Sequence, residues 1–217
     1  MINFFKRNKS NINSVIMPDL GWEEVAKSKS IIQWINPEKT ISISINYFDK
    51  KPDLPLLKDM KVVRSFFRGQ ILEQNGGLIQ VDLTNLDKYQ GIKTIFKMPQ
   101  EPSGIVYLAS LTIPFKDCSY VVKIQAPEME NIGIRDSVIE DRLKTNGRIV
   151  NENQSYQQLS VDPYLETFTK GTLMTKAEDV LYDIEFKDHP LTVARKLLAE
   201  IETKITFKPE LEKLKKY

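Results

Sequence analysis

Between Gly104 and Phe115 the apolar residues Ile105, Tyr107, Ala109, Leu111 and Ile113 fall on every second position, which is the spacing of one face of a β-strand. The other face of that run carries Val106 and Leu108 at its start and Ser110 and Thr112 later. The same period holds in Ile79, Val81 and Leu83, in the run Ile92 to Phe96, and in Tyr120 to Gln125 after a short turn at Lys116 and Asp117. Further upstream, Ile41, Ile43, Ile45 and Tyr47 alternate with polar residues. Ile31 to Ile35 reads as their hairpin partner, joined through Asn36-Pro37-Glu38-Lys39, where proline sets the bend. Strands joined by such short connections pair antiparallel. The sequence therefore predicts an antiparallel sheet of about six strands.

Three stretches change to helical period. Leu56, Leu57, Met60, Val63, Phe67 and Ile71 recur at threes and fours, predicting a helix from about Pro55 to Glu73, with Asp53 as its N-cap and Gly76-Gly77 as its stop. A second helix begins near Ile132, has Ile134, Val138, Ile139 and Leu143 as its apolar stripe, and ends at Asn146-Gly147. A third starts at Pro190, capped by Asp188 or His189, with Leu191, Ala194, Leu197, Leu198 and Ile201 facing the core. The fold class read from this order is α+β, an antiparallel sheet sandwiched by helices. Residues 1–20 read as a flexible arm, with a short edge strand around Ser14–Met17 as the alternative, 21–207 as a single α+β domain, 148–175 within it as irregular, and 208–217 as a basic tail.

Composition narrows the function. Lys plus Arg is 31 and Asp plus Glu is 29, a balance that removes the usual argument for a nucleic-acid binder. One Cys and one His exclude a closed zinc site of the Cys/His type and any triad not built on His189. No run approaches the roughly 20 apolar residues of a membrane span, and the start of the chain lacks the apolar core of a secretory signal. A reducing cytoplasm is the expected compartment, with Cys118 a small buried hydrophobe.

The order of hairpin, long helix, meander, helix and final helix resembles the PsbP-like α/β/α sandwich fold. That fold includes the extrinsic protein of photosystem II and a nuclear-import factor that binds the GTPase Ran. Three short stretches resemble segments of a group of uncharacterised bacterial proteins. These are Tyr120 to Glu128 leading into Gly133-Ile-Arg-Asp-Ser137, Asp162-Pro163-Tyr164, and Ala177 through Tyr182, Asp183 and Phe186 to Asp188-His-Pro-Leu191. Members of the PsbP-like fold act mainly by binding other proteins, so the resemblance implies a protein partner, although fold alone does not set function.

The candidate site residues are few. His189, with Asp179, Asp183, Glu185 and Asp188 upstream, reads either as a general base or metal ligand, or as a helix cap; the second is favoured. As a partial cap alone, its loss is expected to cost no more than about 1 kcal/mol. Gly133 and Arg135, at a helix N-terminus, form a candidate anion or partner contact, against which stands a tight turn with Arg135 paired to Glu128, Glu130 or Asp136. Trp22 and Trp34 are candidate partner anchors, against the commoner fate of core packing. No spacing of nucleophile, base and oxyanion donors appears, and neither cofactor nor metal is called for. The leading reading is a non-catalytic protein-binding domain, of an immunity or accessory type. The alternatives are a hydrolase or transferase centred on His189 and its acids, and a small-ligand binder with an apolar cavity between sheet and helix.

Overall fold

A computed structural model describes residues 10–146 and 160–217. Among these, nine strands and three α-helices run in the order β1 (Val15–Ile16), β2 (Glu23–Lys27), β3 (Ile31–Ile35), β4 (Ser42–Phe48), α1 (Met60–Leu72), β5 (Gly77–Leu86), β6 (Tyr89–Pro99), β7 (Ile105–Pro114), β8 (Ser119–Pro127), α2 (Ile134–Thr145), α3 (Pro190–Lys204) and β9 (Thr206–Phe207). Seven strands form one sheet in the order β2-β3-β4-β8-β7-β6-β5, and β1 pairs with β9 in a separate sheet. Every pairing is antiparallel. The class is α+β, with one more strand in the main sheet than the alternation predicted.

Register explains which residues are buried. One row across the sheet runs Glu24, Trp34, Ile43, Ile124, Ala109, Ile95 and Gln80, each opposite the next. The face holding this row carries the larger core, where Tyr107, Leu111, Ile113, Val122 and Ile124 meet Leu191, Ala194, Leu198 and Ile201 of α3. The opposite face meets α1, where Val63, Phe67 and Ile71 pack on Leu78, Val81 and Ile92. Ile92 and Ile95 lie three apart on β6, so period two sends them to opposite faces. The two helices thus sandwich the sheet, α3 on β7 and β8 and α1 on β5.

Local chemistry sets the boundaries. α1 begins at Met60, later than expected, because Asp59 rather than Asp53 accepts the backbone N–H groups of Lys61 and Val62. Leu56 therefore falls outside the helix and is 76% exposed. Asn75, at a φ of 55°, ends the helix, and Gly77 is required where it stands. A Cβ there would lie 1.6 Å from the carbonyl oxygen of Thr172, because residues 171–174 cross the start of β5. In α3, Leu191 and Leu198 are buried as expected, while Leu197 is only half-buried.

Four expectations need correction. β2 was not foreseen, since all five of its residues are exposed and carry no alternation. In α2, Ile134 and Val138 face solvent, and the inward positions are Arg135, Ile139 and Leu143. Residues 10–20 are no loose arm: Ile12 and Val15 are buried in the main core, and β1 pairs Val15 with Phe207. Nor is 208–217 a solvated tail, because Leu211 is buried and Lys216 bridges to Phe115. The expected arm's residues 1–9, the Gly147 stop, and 148–159 of the stretch read as irregular lie outside the described residues.

Leu198→Ala should cost about 2–5 kcal/mol in a urea melt, because it removes a buried side chain packed between α3 and the sheet. Leu197→Ala should cost clearly less in the same measurement, since its side chain already meets water.

Candidate functional site

Two of the three stretches that carry the bacterial resemblance, 120–137 and 177–191, meet in space, while Asp162-Pro163-Tyr164 lies on the α1 side of the sheet. Gly133 opens α2 in the left-handed conformation, at a φ of 68°, and turns the chain so that Arg135 enters the interior. Arg135 is 0% exposed. Its Nε donates to the carbonyl of Ala177 at 2.6 Å and one terminal nitrogen donates to Thr192 Oγ1 at 3.0 Å. The other terminal nitrogen donates to the carbonyl of Asp179 and to Asp183 Oδ1, both at 2.9 Å. Phe186 lies under the guanidinium, 5.5 Å from ring centre to its carbon. Arg135 is thus an internal strut rather than a surface anion contact, and its acid is Asp183 rather than Glu128, Glu130 or Asp136. An inward Arg on a helix of few apolar residues is what hydrophobic spacing alone misses.

Asp183 serves two cations. Its Oδ1 also accepts Arg195 Nη1 at 2.8 Å and the Thr192 hydroxyl at 3.1 Å. Arg195 in turn donates to the carbonyl of Glu178 at 2.7 Å. The Glu178 side chain then reaches the sheet, accepting Lys97 Nζ at 2.6 Å, Tyr107 Oη at 3.0 Å and the backbone N–H of Thr175 at 2.7 Å. Lys97 and Glu178 are both buried. Burial pushes the Tyr107 phenol well above its usual range, and the neighbouring Glu178 and Glu128 carboxylates add to the shift. Sequence reasoning passed over Lys97, whose only signal is that it continues the core-facing positions of β6 two residues after Ile95.

His189 is the N-cap of α3: its Nδ1 accepts the Leu191 N–H at 3.2 Å. That bond puts the proton on Nε2, which donates to Glu128 Oε1 at 3.3 Å. Both side chains are nearly closed to solvent, and the imidazole edge packs on the Tyr107 ring. Burial works to raise the Glu128 pKa, but the bonds from His189 and from the backbone N–H groups of Ile105 and Gly133 outweigh it and hold the carboxyl below its usual value. The acids expected beside His189 go elsewhere. Asp179 caps its own turn through the Leu181 N–H, Glu185 pairs with Arg142 on the surface, and Asp188 is exposed.

Asp162-Pro163-Tyr164 closes the β5 edge. Asp162 takes both Arg68 nitrogens at 2.7 Å, and Tyr164 Oη accepts the Val81 N–H at 2.8 Å. Among the open clefts of the surface, two bear on function, the first of them reaching the network at Arg195. One of about 410 Å³ lies between α3 and the β5–β6 end of the sheet, lined by Ile79, Ile95, Leu198, Lys93, Arg195 and Glu202. The other, of about 240 Å³, holds both tryptophans with Met17, Pro18, Leu20 and Ile43. Neither contains His189, Glu128 or Arg135. Among the described residues no group of three or more His, Cys, Asp or Glu is placed to hold a metal ion, and no helix is long and apolar enough to cross a membrane.

No protein-family model matches the chain, and no curated protein matches it. Solved structures similar to it include a protein from Bacteroides thetaiotaomicron VPI-5482, at 14% identity and a TM-score of 0.31, over 54% of this chain and 38% of that one. A protein of unknown function from Pseudomonas aeruginosa is similar at 12% identity and a TM-score of 0.36, over 60% of this chain and 88% of that one. The cyanobacterial PsbP from Synechocystis sp. PCC 6803 is similar at 11% identity and a TM-score of 0.35, over 61% of this chain and 78% of that one. The fold assignment rests on the strand order and helix placement described above.

Asp183→Ala leaves Arg135 buried without its carboxylate, and should cost about 3–5 kcal/mol in a denaturant melt. His189→Ala removes a cap and a bond to a buried carboxylate together, so it should cost about 2–4 kcal/mol at neutral pH, more than a cap alone. Because the folded Glu128 pKa is depressed, its stabilisation is complete above the ordinary value of 4.5 and is lost as pH falls through the folded value. Melts of His189→Ala between pH 5 and pH 2, roughly the span of a carboxylate titration, should therefore show a smaller acid-induced loss than the parent.

Proposed function

We propose that this chain is a non-catalytic protein-binding domain, an accessory or immunity-type protein that holds one partner in a reducing cytoplasm. The observation that carries this reading is the division of residue types. The groups able to do chemistry, His189, Glu128, Arg135, Asp183, Glu178 and Lys97, spend their hydrogen bonds on one another and on backbone inside the protein. The two tryptophans instead line an open groove at one corner of the sheet, half-buried and backed by the core. Aromatic side chains on firm backing are what a binding surface uses as anchors. The buried thiol of Cys118, pushed up by burial, supports a structural role for it. The cleft beneath α3, with its apolar floor of Ile79, Ile95 and Leu198, favours a second reading, small-ligand binding.

Affinity capture from the source organism, followed by titration of the purified partner, tests the proposal. Trp22→Ala should weaken binding by about thirtyfold, the scale of an interface hot spot of about 2 kcal/mol. His189→Ala, assayed at a temperature where it remains folded, should bind as the parent does. A folded His189→Ala chain that had lost the turnover of a substrate would overturn the non-catalytic reading.

A further inference from the structure

We propose that β2 pairs antiparallel with β2 of a second copy of this chain, joining two sheets edge to edge. The proposal rests on the backbone edge of β2 and not on the partner groove, which lies on one face of the sheet.

The sheet has two ends, and they are finished differently. At β5 the first half of the edge is covered. The Val81 N–H donates to Tyr164 Oη at 2.8 Å, the Val81 carbonyl accepts Arg64 Nε at 3.2 Å, and residues 171–174 lie across Gly77. The Arg64 guanidinium stacks 3.7 Å from the centre of the Tyr164 ring, which fixes both closing groups. Among the described residues nothing pairs with the outer side of β2. All five residues are exposed, Val25 among them, and β3 is the strand's one partner among the described residues. An edge of this kind offers backbone groups to another strand.

The side chains on β2 suit its own copy. Glu24 lies opposite Trp34 and Lys27 opposite Ile32, and those two β3 residues share the α3 face. Three residues apart on a regular strand, Glu24 and Lys27 would face opposite sides. The register shift between Glu24 and Ala26 adds one residue and brings both to the same face, where Lys27 Nζ meets Glu24 Oε2 at 3.2 Å. A two-fold axis normal to the sheet keeps that face on one side, and the proposed register sets Glu24 of each copy opposite Lys27 of the other. Cross-strand pairs of opposite charge stabilise such a ladder, and like charges directly opposite oppose it. The axis then passes between Val25, the extra residue of the bulge, and Ala26, and Val25 is exposed in the single chain. The matching contact on both copies is what a closed two-fold interface requires.

A mixing experiment tests this by sedimentation equilibrium of the full chain at rising concentration. The parent should show a monomer–dimer equilibrium. Glu24→Lys alone and Lys27→Glu alone each place like charges across the axis, so each should weaken self-association by about tenfold or more. An equimolar mixture of the two variants should form a heterodimer of at least parental affinity. The internal Glu24–Lys27 contact is lost in both variants, so recovery on mixing can come only from contacts between chains. Circular dichroism melts of each variant confirm that it is folded. A parent that stays monomeric at all concentrations, variants that dimerise as the parent does, or a mixture that fails to recover would each overturn the proposal. So would a partner protein that displaces the dimer by binding β2 more tightly, since the edge would then belong to a different chain.

Discussion

Asp183 is the point on which the interior turns. One carboxylate oxygen accepts Arg135 from α2, Arg195 and Thr192 from α3, and it sits in the 176–186 segment between those helices. The apolar contacts that hold α2 are few: Ile139 and Leu143 with Ala177, Tyr182 and Phe186. A helix with so narrow an apolar stripe is placed by its polar contacts instead. A buried ion pair is costly to desolvate and returns that cost only when every donor is satisfied. Here Arg135 uses its nitrogens on two backbone carbonyls, a hydroxyl and a carboxylate. The geometry admits little variation, so the docking of α2 is set more by direction than by surface area.

The same logic carries the network to the sheet. Arg195 grips the carbonyl of Glu178 while the Glu178 side chain takes Lys97 and Tyr107 from β6 and β7. The 176–186 segment, two short 3-10 turns at Lys176–Glu178 and Val180–Tyr182, is therefore bonded on one side to two helices and on the other to two strands. Turns this short leave carbonyls at their ends for the arginines to use.

Much of this architecture was legible from periodicity, because sheet and helix spacing follow directly from burial of one face. The hairpin, the meander and α3 all showed it, and Pro190 with His189 marked the start of α3. What was not legible has a physical cause in each case. β2 buries neither face, so Glu23–Lys27 carries no alternating signal. α2 buries an arginine where the pattern seeks an apolar residue, and so Ile134 and Val138 were read as inward. At α1 a run of leucines before Asp59 imitated another turn of helix, whereas the cap chose the later start. Of the candidate site, His189 as a cap and the two tryptophans were visible. The bond from His189 to Glu128 joins residues 61 apart, and no local spacing encodes it.

The pairing of β1 with β9 has a consequence for how the chain is made. Val15 is synthesised 192 residues before its partner Phe207 (207 − 15 = 192). The main sheet needs only strands that end by Pro127, so it can assemble while translation continues. Throughout that interval Ile12 and Val15 have no finished site to enter, because α3 and Leu211 complete the core around them. Ile12 and Val15 stay without their core partners until the chain supplies β9 and Leu211. Pauses in translation between the meander and α3 would lengthen that wait, which makes the timing of synthesis a determinant of yield for a fold whose first and last strands close each other.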